Sequence, residues 1–206
     1  MKVLDLFSGG KSLKKPCIDM GFEYYSVDID NKLMPDLVAD IGTLSAPDIQ
    51  LSPDIIWASP PCTCFSVASI GVHWEKINGN LLPKTTEAKN AISLILNTLK
   101  LIGEINPKYW FIENPRGALR KMFFMELLPI RHTVTYCQYG FDRMKPTDIW
   151  TNNTTWNPKP PCKNGDICHK SAPRGSRTGT QGRDLKEKWS VPYNLQKEIL
   201  ISCNEI

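Results

Sequence analysis

Short apolar runs, each closed by an acid, a serine or a glycine, recur along the first 150 residues. KVLDLF enters a glycine turn, SGGKS. PCIDMGF follows a helical stretch, EYYSVDID ends in acids, DLVAD ends at Asp40 and DIIWAS at Ser59. YWFIENP and TVTYCQYG come later. Runs of this length, rich in β-branched and aromatic residues, read as six buried strands. Between the fourth and fifth, Ala88, Ala91, Ile92, Ile95, Leu96, Leu99 and Ile102 fall at i, i+3, i+4 spacing, which predicts a helix. Thr85 or Thr86 can cap it, and Gly103 with Pro107 can stop it. Strand alternating with helix predicts an α/β fold with a doubly wound, mostly parallel sheet. Ligands of such sheets bind at the carboxyl ends of the strands, where the polar motifs of this chain fall.

The pattern changes near residue 151. The segment to about residue 188 is rich in Pro, Gly, Asn and basic residues, with eight Lys and Arg against three acids between Lys159 and Lys188. VPYNLQKEILISC reads as a closing helix. The division expected is a domain over 1–150 and a small, basic, loop-rich extension over 151–206 packed on it. At 206 residues the chain suits one well-cored domain. Its formal net charge of +4 is compatible with nucleic acid and does not require it. No apolar run is long enough to span a membrane as a helix, and the N-terminus does not read as a signal peptide, so no membrane partner is expected. Seven cysteines, an odd number in apolar or motif-like settings, suit free thiols in a reducing cytoplasm.

Three successive strand ends carry a ligand pattern. The first offers a glycine turn at which backbone can approach a ligand closely. The second ends at Asp28, about 20 residues further on, placed to accept from two ribose hydroxyls. The third ends at Asp40, which can accept from an adenine amino group. Each acid alone reads equally well as a helix cap. Together they suit an adenosine-containing cofactor.

The fourth strand runs into SPPCTCFS. Cys-x-Cys is poorly spaced for a redox pair or a zinc pair. One working thiol is therefore expected, Cys62, with Cys64 packing or facing solvent. A thiolate that adds to carbon 6 of cytosine turns the ring into an enamine and makes carbon 5 nucleophilic. Electron density then moves to N3, which needs a donor or acid. Glu113 in FIENPRG, at the end of the fifth strand, can serve, or can be a structural carboxylate paired with Arg116 or Arg120.

With these motifs in this order, the sequence resembles the DNA cytosine-5 methyltransferases. DLFSG, SVDID, VADI, SPPCTCFS and FIEN match successive family motifs, and CQYGFDRMKPT looks like a divergent Gln-Arg-x-Arg strand. The ENPRG variant and the compact size are similar to small phage or prophage members, in a restriction-modification setting. The resemblance covers about residues 1–150. It implies a Rossmann-like S-adenosylmethionine-dependent methyltransferase fold and S-adenosylmethionine as cofactor. It implies cofactor contacts from Asp5, Phe7, Ser8, Gly9, Gly10, Asp28, Ile29, Asp40, Ile41 and Pro60. Cys62 is then the nucleophile, Glu113 holds cytosine N3 and the amino group, Asn114 holds the cysteine loop, and Arg143 lies near the target base. The expected partner is duplex DNA with the cytosine flipped out, together with a partner protein that supplies sequence specificity. The setting is the cytoplasm of a bacterium or of a phage-infected host.

Three features depart from the family. Lys11 stands where a second glycine is common, Pro115 follows Glu-Asn, and only about 55 residues follow the Gln motif, where full members carry a DNA-reading lobe. The extension can be a rudimentary reading lobe. In it, CKNGDICH brings Cys162, Cys168 and His169 close in sequence. These are zinc candidates if the fold adds Cys137; otherwise they are a buried thiol and a solvated histidine, and no metal is assigned on spacing alone. PRGSRTGTQGR can grip phosphates or be a solvated loop. HWEKINGN reads as a mobile active-site loop hinged at Gly71 and Gly79, with His73 on the surface. Competing readings are an exocyclic-amine, RNA or nucleotide methyltransferase, and a non-catalytic nucleic-acid binder.

Overall fold

The computed structural model describes residues 1–170 and 189–204, so the basic run at 173–183 lies outside the described residues. Seven strands form one sheet: β1 (Lys2–Leu6), β2 (Glu23–Asp28), β3 (Leu37–Val38), β4 (Ile55–Ala58), β7 (Tyr109–Pro115), β8 (Ile130–Thr135) and β9 (Pro146–Thr151). Their spatial order is β3-β2-β1-β4-β7-β9-β8. The pairs from β3 to β7 are parallel, and β9 pairs antiparallel with both β7 and β8. The order reverses between β1 and β4, where a doubly wound sheet leaves its crevice.

Side chains along each central strand alternate between two apolar layers, as the pleat requires. Leu4, Leu6, Ile56, Ala58, Ile112 and Trp150 enter one layer, closed by α3 (Thr86–Ile105) through Ala88, Ile95, Leu101 and Ile102. Val3, Ile55, Trp57, Phe111 and Ile149 enter the other. That layer is closed by α1 (Lys14–Asp19) through Cys17 and by α5 (Tyr193–Asn204) through Leu195, Ile199, Leu200 and Cys203. Helices on both faces of a mostly parallel sheet make this the doubly wound α/β fold that the alternation predicts. No helix among the described residues is long and apolar enough to cross a membrane.

The α3 helix starts where expected, with the Thr85 hydroxyl accepting from Ala88 N at 3.2 Å. Gly103 does not stop it: the helix runs through to Asn106, whose left-handed φ of 50° ends it before Pro107. Of TVTYCQYG only the first part is strand. β8 ends at Thr135, and Tyr136–Tyr139 form a 3-10 turn closed by Gly140 at φ 96°. PTDIWT, not anticipated as a strand, is β9, buried throughout and inserted between β7 and β8. Its pattern is broken by Asp148, whose fully buried carboxylate accepts from Arg120 Nη2 and Thr133 Oγ1, each at 2.8 Å.

HWEKINGN is a second correction. After the single turn α2 (Ile70–His73), it opens an antiparallel hairpin of β5 (Trp74–Ile77) and β6 (Asn80–Pro83). Asn78 and Gly79 have φ of 49° and 88°, the positive pair that a type I′ hairpin turn needs. Gly79 thus serves a tight turn rather than a hinge, and Gly71 sits within α2. His73 is half-buried, its Nδ1 paired with Thr85 Oγ1 at 2.8 Å. The last short helix before β8 is α4 (Phe123–Glu126).

Candidate active site

The crevice end of β1 and β2 is built by the glycine turn. Ser8 N donates to Val27 O at 3.1 Å. The Asp28 carboxylate accepts from Gly9 N at 2.8 Å and Asp30 N at 3.0 Å. Phe7 and Gly9 take φ of 62° and 48°. For Phe7, a left-handed backbone costs roughly 1–2 kcal/mol, offset by the hydrogen bonds of the turn it opens. A Cβ on Gly10 would meet nothing within 4 Å, so this turn faces open space. Ser8 Oγ is buried without a hydrogen-bond partner among the described residues. Ile29 stands 67% exposed just past Asp28. An orphaned hydroxyl, an exposed aliphatic side chain and a strand-end carboxylate around an open turn fit an adenosine-type ligand with a polar tail.

Other predicted contacts are placed differently. Asp5 is buried beneath the turn, accepting from Tyr24 Oη at 2.7 Å, and burial raises its pKa to about 7. Asp40 is exposed and accepts from Gly42 N at 2.8 Å. Ile41 is packed in the core, with its carbonyl accepting from Asn97 Nδ2, so it sets the Asp40 turn and offers no side chain. The Lys11 ammonium, with Lys11 φ at 54°, donates to the Met34 carbonyl. A cavity of about 460 Å³ lined by Ala46, Leu51, Asp54 and Lys108 opens at the amino ends of β4 and β7, away from this turn.

The loop after β4 carries the thiol. Cys62 is half-buried and Cys64 is packed in the interior, which separates the two thiols. Three interactions hold this loop. Asn114, fully buried on β7, donates from Nδ2 to Pro60 O at 2.9 Å. Trp74 of the hairpin stacks on Phe65 at 5.5 Å and donates from Nε1 to Cys64 O at 2.6 Å. Ala118 N donates to Phe65 O at 2.7 Å, an approach that Gly117 allows, because a Cβ there would lie 2.1 Å from the same oxygen.

Glu113 is the neighbour of Asn114 and points to the other side of β7 by the strand's alternation. It is buried and accepts from Tyr136 Oη at 2.7 Å. It pairs with neither Arg116 nor Arg120; the latter is engaged by Asp148. Burial, and next Glu113, hold the Tyr136 phenol well above its ordinary pKa, so it donates. Burial, then the charge of Glu113, raises the Cys62 thiol, and the Lys145 ammonium opposes them. Burial lowers the pKa of Lys145, while Glu113 and Cys62 raise it. Lys145 lies 4.6 Å over the Tyr136 ring, and Arg143, 3% exposed, lies 5.1 Å over Phe141. Buried Glu113, Tyr136 and Lys145 thus act electrostatically on the half-buried Cys62 and on one another. Arg143 borders them through its effect on Lys145.

The sequence profile of the family described as C-5 cytosine-specific DNA methylase matches residues 1–142. The chain belongs to this family. Membership makes it a DNA (cytosine-5)-methyltransferase with S-adenosylmethionine as methyl donor. It is 26% identical over 233 residues to a Frog virus 3 (isolate Goorha) protein named "Probable DNA (cytosine-5)-methyltransferase". That match covers 98% of this chain and 100% of the viral protein. Among solved structures, a prophage-encoded protein of E. coli described as a "putative DNA modification methyltransferase" superposes with a TM-score of 0.54 at 18% identity. It covers 77% of this chain and 51% of its own. The Dnmt2 methyltransferase of S. pombe gives 0.51 at 18% identity, over 73% of this chain and 48% of its own. The chain thus spans about half the length of these solved structures, with which it shares the methyltransferase fold.

Four residues of this candidate site were not singled out from the sequence: Tyr136, Lys145, Trp74 and Gly117. Gly117 lies inside the quoted ENPRG and Trp74 inside HWEKINGN, so their positions were in view without their partners.

Proposed function

We propose that the chain moves a methyl group from S-adenosylmethionine to carbon 5 of cytosine in DNA, through a covalent adduct of Cys62 at carbon 6. The observation that carries this is the arrangement of Cys62 and Glu113. The thiol sits on a loop fixed by Asn114 and Trp74, in electrostatic contact with a buried carboxyl that Tyr136 holds in place.

Each residue has a task. Cys62 loses its proton as the Sγ–carbon 6 bond forms; the neighbouring Lys145 ammonium favours the thiolate. Ring electrons shift toward N3, which takes up the proton given up by Cys62 by way of the Glu113 carboxylate, and the resulting enamine is nucleophilic at carbon 5. The bound cofactor supplies an electrophilic methyl group on a sulfonium. Loss of the carbon 5 proton to water then expels the Cys62 thiolate, the N3 proton returns through Glu113 to the sulfur, and the aromatic ring is restored. Ser8, Gly9, Gly10 and Phe7 border the cofactor's polar tail, Asp28 and Ile29 its ribose and base, and Asp40 the adenine edge. Asp5 and Pro60 support the site from beneath and beside it. Arg143 positions the flipped cytosine or its phosphate. Residues 151–206 act as a rudimentary substrate-reading extension on the catalytic domain 1–150, with sequence specificity supplemented by a partner protein in the cytoplasm.

The test is labelled-methyl transfer to duplex DNA, single-stranded DNA, RNA and dCMP, followed by base analysis. The account expects 5-methylcytosine in duplex DNA, and loss of transfer but retained cofactor binding in Cys62→Ala. Label on an exocyclic amine, preference for RNA or dCMP, or normal turnover by Cys62→Ala would contradict it.

A further inference from the structure

We propose that Cys137, Cys162, Cys168 and His169 form a structural zinc site that fastens the loop at residues 162–169 to the turn carrying Tyr136. The four candidate ligand atoms lie within 4.8 Å of one another. Cys137 Sγ is 3.0 Å from Cys162 Sγ and 3.6 Å from Cys168 Sγ. His169 Nδ1 is 3.7 Å from Cys162 Sγ and 3.5 Å from Cys168 Sγ. Tetrahedral zinc with ordinary bond lengths sets sulfur–sulfur edges of about 3.8 Å and sulfur–nitrogen edges of about 3.6 Å. Three of the four measured edges already match, and the fourth needs only the two thiols to part by under about 1 Å.

The surroundings favour a ligand role over a packing role. His169 Nδ1 faces sulfur, and its Nε2 is buried without a hydrogen-bond partner among the described residues. The ring is thus held through two cysteine sulfurs alone, with no oxygen or nitrogen partner on either ring nitrogen among the described residues. The loop between the ligands, Lys163–Ile167, is exposed throughout, with Ile167 wholly in solvent, so it has no apolar core to fold it. It is tied down at its ends: Cys162 N donates to Thr135 Oγ1 at 3.0 Å and Lys170 N to Asp142 O at 2.9 Å. A metal supplies the missing cross-link. A disulfide between Cys137 and Cys162 would leave Cys168 and His169 converging on it without a reason.

Three thiolates and an imidazole in tetrahedral array select zinc. Four protein ligands leave no open position, which makes the site structural rather than catalytic. Its location gives it a function. Cys137 adjoins Tyr136, the donor to Glu113, and precedes Gln138, whose Nε2 lies 3.7 Å from Cys168 Sγ. Zinc would couple the base-facing turn to the strongly basic segment that continues from His169.

The experiment uses the full chain purified under reducing conditions. Atomic emission should find one zinc per chain. The Cys162→Ser/Cys168→Ser double variant should be zinc-free, with an unchanged far-UV circular dichroism spectrum. Cobalt added to chelator-stripped wild-type protein should give thiolate-to-metal charge-transfer and tetrahedral ligand-field bands, lost in the double variant. Where the variant does not fold, the wild-type cobalt titration decides. Absence of those bands at stoichiometric cobalt, zinc retained by a folded double variant, or a Cys137–Cys162 disulfide in the freshly purified metal-free chain would each overturn the proposal.

Discussion

Replacing Tyr136 by Phe removes one oxygen from the centre of the site and little volume. That oxygen donates to Glu113 Oε1 at 2.7 Å, and both residues are buried. Water cannot easily replace the lost donor, so the carboxyl keeps an unsatisfied oxygen at a cost of about 1–3 kcal/mol. If the bond holds Glu113 in line with cytosine N3, the cost falls on the transition state. It then appears as a roughly 5- to 150-fold fall in kcat. The KM for S-adenosylmethionine should hold, because the glycine turn and Asp28 belong to β1 and β2, apart from Tyr136. Single-turnover methyl transfer with pre-bound DNA reads the chemical step, and a thermal melt reads stability. A variant that melts several degrees lower yet transfers methyl within twofold of wild type would refute the reasoning, since Tyr136 would then support the fold alone.

Gly117→Ala should both destabilise the chain and slow it, because the new Cβ overlaps the backbone oxygen of Phe65 at 2.1 Å in the loop carrying Cys62; a melt should register about 1–3 kcal/mol or more, and an unchanged Tm would contradict the packing. Lys145→Met removes the charge that opposes the upward shift of the Cys62 thiol, so the alkaline rise in rate should move to higher pH, whereas an unmoved profile would deny Lys145 that role. Asp5 is raised from 3.8 to about 7, so the folded state binds its proton more tightly than the unfolded state does. The stability this contributes is full below the unfolded value and is lost as pH climbs through about 7, by at most about 4 kcal/mol. Asp5→Asn should therefore gain stability on wild type between pH 5 and 8 in urea melts, and parallel pH curves for the two proteins would contradict this.

The parts of the fold legible in the sequence are those whose neighbours in space repeat a simple period. The strands β1, β4 and β7 are largely buried runs with apolar residues on both faces, and α3 displays an apolar stripe, so their patterns alone identify them. β9 escaped because a proline heads it and a buried aspartate interrupts it. The Asp148 charge is tolerated through Thr133 and Arg120, 15 and 28 residues away, pairings no local window contains. The hairpin had its signal, Asn78–Gly79, but its flanking strands are short and mostly exposed, and the loop reading prevailed.

The same division runs through the site. Cys62, Glu113 and Asp28 stand at strand ends, where fold and motif coincide. Tyr136 joins Glu113 from a turn 23 residues on, and Gly117 matters because of an oxygen on Phe65, so both depend on how loops cross. Ile41 shows a limit of motif reading: its place in a motif suggested a ligand contact, and its side chain packs in the core. Cys162, Cys168 and His169 were visible as a group, but their convergence with Cys137 depends on the turn after β8.

The account's chemistry depends on a bond between sulfur and the cytosine ring. It can be caught with duplex DNA carrying 5-fluorocytosine, from which the halogen cannot leave as a proton does after methyl transfer. Incubated with S-adenosylmethionine, the wild-type chain should form a complex that survives denaturing electrophoresis, and peptide mapping should place the link at Cys62. A complex that forms equally well with Cys62→Ala, or a link mapped to another residue, would contradict the mechanism.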